Sequence, residues 1–510
     1  MIKQKEQTNT YLNDKEVPSH WRSLIKEQPV FKDTNKIIPI DKKNNRFRTL
    51  LLNSIKNAKQ TIMMCSFILS DPDIIDSLLK ASERGVRCYL LFSTEAQLSK
   101  EYKKEQSEFD EKTLEEHKQM LDRLAGKILA RTCDHLHAKF LLVDYGNPEQ
   151  KGFISTANFT KEALTRNQEL GVILSDSEIN FLFNFFVLGF WVESKNELVR
   201  KNNWDAVKLI NLKPLKGNNQ IFYTTSSNQT LKNELEKIIE NETKELVVSS
   251  YGFDDEHPIV ELLINKAQNI NLTIITRPRE KNHKVIEKFT NAGAKVVAYD
   301  YLHAKFILSP STNQGIIMTA NLESKGLETG YEVGIKITRK YFDELLTISR
   351  VWIDSAPLIW YNKTSIKNLE PGTIKIPKGK DYDTIEIIDE FIDEQKIEPQ
   401  DLHKMEKLLK EEPKLKKNLD NKLPKKIIVK RTIIPPVLPK DAVKVESKQL
   451  FTSKKSRRRE ADVKDKEIKF PFETYRLKNI YYVVVKSLKD LEKLKEFPKF
   501  RQTVRIVTKG

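Results

Sequence analysis

The residues able to do chemistry in this chain come in two matched sets. Leu-His-Ala-Lys-Phe occupies residues 136–140 and returns at residues 302–306. Asp134 and Asp300 each stand three residues before the histidine. Downstream, Ser-Thr-Ala-Asn at residues 155–158 is answered by Met-Thr-Ala-Asn at residues 318–321. Each copy closes on a glutamate followed by apolar residues, Glu169-Leu-Gly-Val and Glu332-Val-Gly-Ile. His, Lys, Asn and Glu thus recur in one order, which defines two half-sites. An imidazole beside an ammonium suits a phosphate: lysine acts as a fixed charge, and histidine as base, nucleophile or acid. The apolar run 136–143 reads as a buried strand, whose alternation puts His137 and Lys139 on one face. Thr156 and Asn158, like Thr319 and Asn321, are expected to donate to phosphate oxygens. The trailing glutamate can hold the histidine Nδ1–H, fixing the tautomer and leaving Nε2 free to attack.

This pattern resembles the HKD signature of the phospholipase D superfamily: His-x-Lys-x4-Asp, a small-residue-x-Asn segment, then an acidic residue. The superfamily includes phospholipases, cardiolipin synthases, metal-independent nucleases and tyrosyl-DNA phosphodiesterase. The resemblance covers roughly residues 45–355 and is complete in the first copy, at His137, Lys139, Asp144, Thr156, Asn158 and Glu169. The second copy has His303, Lys305, Thr319, Asn321 and Glu332, but Pro310 stands where the aspartate belongs. The resemblance implies that this aspartate supports its own loop while the later acid orients the histidine. It further implies two α/β lobes packed as a pseudo-dimer, with His137 and His303 across one phosphate. His137 is then the nucleophile, forming a covalent phosphohistidine, and His303 the acid. Neither a cofactor nor a metal is expected.

The formal net charge is +17 and is unevenly spread. Residues 421–510 hold 26 basic and 10 acidic residues, whereas residues 381–420 hold 7 basic and 13 acidic. The basic end, with Lys454, Lys455, Arg457, Arg458 and Arg459 at its densest point, suggests an appended module for nucleic acid or an anionic surface. Three cysteines at no metal-like spacing fit a reducing compartment. Cys133 and His135 stand near His137, but Tyr299 and Tyr301 replace them in the second copy, so packing is the simpler reading. Residues 1–16 are polar, without a signal-peptide core, and the apolar run 181–191 is too short to span a bilayer. A cytoplasmic protein without integral membrane association is the expectation.

The elements that must carry the half-sites read as β-α-β units. A helix is expected over 46–57, a strand over 61–69, a glycine-closed helix over 73–85 and a strand over 86–92. The second half restarts near residue 218 with the same order. Residues 95–118 read as a charged helical insertion and candidate lid. Each half ends in an aromatic-bearing helix, near 181–192 and 341–353, with Trp191 and Trp352 as core. The expected domains are a polar lead-in (1–40), two phospholipase D-like α/β lobes (41–215 and 216–362), a charged linker region (363–445) and a small basic module (446–510). Within these, 371–380 reads as linker and 385–409 as an acidic, helical segment.

A metal-independent nuclease acting on DNA or RNA is the first expectation, DNA before RNA, because Lys/Arg clusters bind phosphate backbones without sequence preference. The resemblance adds restriction, repair and phage defence as settings, and a helicase or translocase as a partner the tail could recruit. A phospholipid phosphodiesterase or phosphatidyltransferase docking on anionic lipid is the second reading. A duplicated but inactive nucleic-acid-binding subunit, supported by Pro310, is the third.

Overall fold

A computed structural model describes residues 9–11, 16–27, 29–31, 34–102, 111–208, 210, 215, 219–379, 381–391, 427–433, 438–446, 471–478, 480–486, 490, 493–494 and 504–507. The chain forms two compact units, one of residues 21–362 with 379–381, the other of residues 1–20 with 363–378 and 382–510. Both half-sites lie in the first.

That unit contains two mixed sheets built on one plan. In the first half, Thr61–Ser66 pairs in parallel with Arg87–Ser93, which pairs in parallel with Leu129–Cys133. On its other edge Thr61–Ser66 meets Phe140–Val143, the start of an antiparallel run through Lys151–Ser155 and Glu169–Ile173. Parallel neighbours require helical crossovers. The sequence supplies them: Asp71 caps Pro72–Glu83 by accepting from the Asp73 N–H, and Gly85 leaves the helix at φ +89°. The helix Arg46–Asn57 buries Phe47, Leu51 and Ile55, apolar positions three to four residues apart. The phenyl ring of Phe47 fills the space above Gly171, where a Cβ would come within 2.1 Å of it.

The second half repeats the order with Glu245–Ser249, Asn271–Thr276 and Lys295–Ala298 in parallel, then Phe306–Ser309, Gln314–Met318 and Glu332–Ile337 antiparallel. The glycine two residues after the glutamate is again required, since a Cβ on Gly334 would stand 2.6 Å from Leu231. Side chains of both halves share one buried core, in which the Phe185 and Tyr331 rings stack at 4.2 Å and the Phe306 and Trp352 rings at 6.2 Å. Trp352 is fully buried, whereas Trp191 is partly exposed and packs on the Arg131 guanidinium at 4.3 Å.

Several expectations need correction. Ile37–Ile40 is no lead-in but a buried edge strand, antiparallel to Glu169–Ile173. Trp21 is buried edge-on against Trp360 at 5.0 Å. The stretch expected as an insertion includes the helix Glu111–Leu124, whose Leu114, His117, Leu121 and Leu124 are buried. His117 Nδ1 lies 2.8 Å from the Leu69 carbonyl oxygen, and burial lowers its pKa to about 4. The helix stands where His283–Asn291 stands in the second half, so it is a packed crossover helix rather than a lid.

In the other unit, the expected linker at 371–380 contains the strand Gly372–Lys378. The acidic stretch begins as the strand Asp381–Phe391, parallel to Ile427–Ile433, and residues 392–409 lie outside the described residues. Its start, Thr384-Ile385-Glu386-Ile387-Ile388, is β-branched at four of five positions, which favours a strand over a helix. The C-terminal region contains a four-stranded sheet of Val443–Val445, Thr474–Leu477, Ile480–Val484 and Val504–Val507. Lys454, Lys455, Arg457, Arg458 and Arg459 lie outside the described residues. Among the described residues no helix is long and apolar enough to cross a membrane.

Candidate active site

Regular pairing in the motif strand begins only at Phe140; residues 137–139 cross toward the other half. The N–H groups of His137 and Ala138 both donate to the Tyr331 carbonyl, at 3.1 and 2.9 Å, and Tyr331 N–H returns to His135 O at 2.9 Å. The mirror set is equally complete. His303 and Ala304 N–H donate to Gln168 O at 3.0 and 2.9 Å, and Gln168 N–H donates to Tyr301 O at 3.0 Å. Tyr331 and Gln168 are the residues just before the two glutamates, so each glutamate is delivered to the histidine of the other half.

The side chains follow that crossing. His137 Nδ1–H donates to Glu332 Oε1 at 2.8 Å, and His303 Nδ1–H donates to Glu169 Oε1 at 2.7 Å. This corrects the expectation that a glutamate serves the histidine of its own copy. With Nδ1 of each ring held by a carboxylate, Nε2 is the nitrogen placed to react, and in His303 it also lies 3.0 Å from the Lys305 ammonium. Both carboxylates are deeply buried, which alone would raise their pKa, yet both are lowered. For Glu169 the nearby His303, Lys305 and Thr156 outweigh burial, and for Glu332 His137, Lys139 and Thr319 do so.

Thr156 and Thr319 do not face a phosphate. The Thr156 hydroxyl donates to Glu169 Oε2 at 2.6 Å and accepts from Leu170 N–H at 2.9 Å. Thr319 likewise donates to Glu332 Oε2 and accepts from Val333 N–H at 3.0 Å. Each threonine therefore fixes its own copy's glutamate, and that glutamate fixes the opposite histidine.

Lys139 and Lys305 are both fully buried. The Lys139 ammonium donates to the His137 carbonyl at 2.5 Å, while that of Lys305 lies 2.9 and 3.0 Å from the ring nitrogens of His303. Two desolvated ammonium groups beside two imidazoles form a strong attractor for an anion. Asn158 and Asn321 are buried near the same segments. Asn158 Oδ1, an acceptor, has no hydrogen-bond partner among the described residues. Phe67 packs edge-on against His137 at 5.2 Å, and Tyr251 against His303 at 4.9 Å.

Asp144, at φ +53°, accepts from the backbone N–H groups of Lys59, Gln60 and Thr61 at 2.7–3.1 Å. It ties the hairpin after the motif strand to the start of the neighbouring strand. Pro310 cannot do this, and Glu242 does it from the opposite side of the same joint. Glu242 Oε1 accepts from the N–H groups of Thr243, Lys244 and Glu245 at 2.7–3.2 Å. Its Oε2 accepts from the Ser309 hydroxyl at 2.7 Å and from Ser311 N–H at 3.0 Å. Burial opposes its charge, but the Ser311, Lys244 and Ser309 donors prevail and lower its pKa to about 2. In the first half Ala58 occupies the position of Glu242, so the two halves carry the joint's carboxylate on opposite partners.

Glu242, Phe67, Tyr251, Arg166, Arg277 and Arg279 are not singled out in the sequence reading, and Tyr301, read there as packing, is 42% exposed. Their signal lies in aligning the two copies at positions outside the shared motif. Cys133 is buried, and burial raises its thiol pKa, in keeping with packing.

Crossed imidazole–carboxylate pairs and buried lysines thus sit on two α/β halves built on one plan. The chain contains a phospholipase D-like domain: residues 51–184 match the family described as "Cardiolipin synthase, PLD-like domain". No curated protein matches the sequence significantly. Among solved structures, it is similar to a polyphosphate kinase from Porphyromonas gingivalis at 12% identity and TM-score 0.43, covering 62% of this chain and 50% of that one. The chain thus spans half the length of that kinase. A phosphatidylserine synthase from Haemophilus influenzae is similar at 12% identity and TM-score 0.46, over 65% of this chain and 87% of that one. The yeast tyrosyl-DNA phosphodiesterase is similar at 15% identity and TM-score 0.36, over 59% and 89%.

Proposed function

We propose that the protein is a metal-independent nuclease that cleaves phosphodiesters through a covalent phosphohistidine. The crossed pairs are the observation that carries the chemistry. His137, neutral with its Nδ1–H on Glu332, attacks phosphorus through Nε2. His303, protonated and held by Glu169, gives its Nε2 proton to the leaving oxygen. A water then loses a proton to His303 and displaces His137, restoring both rings. Lys139, Lys305, Asn158 and Asn321 stabilise the non-bridging oxygens throughout, the task a metal performs elsewhere.

Nucleic acid as substrate is supported by the net charge of +16 over residues 421–510. The proposed setting is defence, restriction or repair, with a helicase or translocase as partner. The matched family's description names cardiolipin synthase, which favours phosphatidyl transfer as the second reading. The inactive reading loses its ground, because it rested on Pro310 and Glu242 carries the missing carboxylate.

The test incubates wild type and His137→Ala with labelled single- and double-stranded DNA and RNA in excess EDTA. Cleavage by wild type that disappears in the variant is expected. Wild type that leaves every polymer intact yet hydrolyses phosphatidylglycerol or cardiolipin in vesicles would replace this reading with the lipid one.

A further inference from the structure

The two half-sites share their inner residues but not their surroundings. Beside His303, the Arg279 guanidinium lies over the Tyr251 ring at 4.0 Å, and Arg277 over the same ring at 5.7 Å. Arg166, from the first half, lies over Tyr301 at 4.5 Å, and Arg277 reaches that ring at 5.9 Å. Tyr301 is 42% exposed, so the cluster opens to solvent. Aligned on the strand registers and motifs, the positions of Arg277, Arg279 and Arg166 fall to Ser93, Glu95 and Thr329 around His137. Phe67 and His135 stand in place of Tyr251 and Tyr301. Three cations on one side thus face one exposed carboxylate on the other.

How the arginines are held matters as much as their number. A guanidinium held by a carboxylate is neutralised by its partner. One laid on an aromatic face keeps its charge and turns its N–H edge outward. Arg166 and Arg277 have no ion pair among the described residues; Arg166 donates only to Asn167 Oδ1, at 3.2 Å. Such a cluster is preorganised for bidentate binding of a phosphate.

We propose that Arg166 and Arg277, carried on Tyr251 and Tyr301, form a second phosphate subsite that engages the phosphodiester adjacent to the scissile one, on the side of His303. The inference rests on the nuclease reading and deepens it. Because His303 protonates the leaving oxygen, the fragment that departs first is the one carrying the gripped phosphate. A lone diester cannot fill this subsite, whereas a nucleic-acid strand fills it at every internal linkage.

The experiment uses two thymidine dodecamers, one with all linkages charged and one in which every second linkage is a neutral methylphosphonate. In the second, every cleavable diester is flanked by uncharged neighbours. Wild type is expected to cleave the alternating strand with kcat/KM per linkage at least 30-fold below the fully charged one. In Arg166→Ala/Arg277→Ala that ratio should collapse to within about threefold. Equal cleavage of both strands by wild type overturns the subsite while leaving the nuclease reading intact, as does a ratio that survives the double substitution. Wild type that hydrolyses bis(p-nitrophenyl) phosphate but leaves both strands, duplex DNA and RNA intact sinks the nuclease reading and the subsite with it.

Discussion

At the scale of single residues, the crossed pairing makes the two glutamates distinguishable by experiment. Glu332 serves the proposed nucleophile, so Glu332→Gln should slow formation of the phosphohistidine whatever the leaving group. Glu169 serves the proposed acid, so Glu169→Gln should lower kcat on a DNA strand by about 10²-fold or more, the usual worth of general acid catalysis. It should do far less to bis(p-nitrophenyl) phosphate, whose leaving group needs no proton. Single-turnover assays on both substrates check this; a reversed pattern would assign the roles the other way round. One imidazole must be neutral and the other protonated, so kcat/KM should be bell-shaped in pH, and a profile that only rises would contradict the assignment. The carboxylates also affect stability. Both have lowered pKa values in the folded chain, so their contribution is present above the unfolded carboxylate range and is lost as pH falls through the lowered values. Urea midpoints of wild type should therefore drop at acid pH by more than those of Glu169→Gln/Glu332→Gln.

At the scale of elements, the joint between hairpin and neighbouring strand shows what a sequence reveals and what it conceals. The half-sites were legible because their residues recur in one order, and the β-α-β frame because helix and strand periodicities alternate cleanly. Pro310 looked like a defect, since the residue that compensates for it, Glu242, lies 68 positions earlier in the chain and has no motif of its own. The crossing of the glutamates was hidden for a related reason: a backbone exchange between halves leaves no trace in spacing within either half. The threonines misled because a hydroxyl near a phosphate motif suits a carboxylate equally well. Glu242→Ala should destabilise the second half by about 1–2 kcal/mol, because it removes the acceptor of part-buried donors at Thr243, Lys244 and Ser311. Adding Pro310→Asp recreates the first half's arrangement of Ala58 and Asp144 and should recover much of that loss. Chemical denaturation of the single and double variants measures both steps, and a double variant no more stable than Glu242→Ala would refute the exchange. The penalty of Glu242→Ala should also shrink as pH falls from about 4.5 toward 2, where the wild-type carboxylate loses its charge.

At the scale of the whole molecule, the distribution of charge separates capture of a substrate from its cleavage. Residues 1–363 carry a net charge of only +4, while residues 421–510 carry +16. Non-specific nucleic-acid affinity scales with the number of phosphates neutralised, and each releases counterions, so affinity falls steeply with salt. The run Lys454, Lys455, Arg457, Arg458 and Arg459 concentrates five of those cations within six positions. Replacing all five with glutamine should lower affinity for a long single strand most at low salt. It should also reduce the slope of log K against log salt by up to about 3–4, at roughly 0.7 for each phosphate no longer neutralised. The same substitutions should leave kcat on a dodecamer within about twofold, since none of the five belongs to either half-site motif. Fluorescence anisotropy across a salt series, run beside single-turnover cleavage, separates the two quantities. An unchanged slope would mean that the basic end serves something other than the phosphate backbone. A loss of kcat with the slope intact would mean that this segment acts on the chemistry rather than on capture.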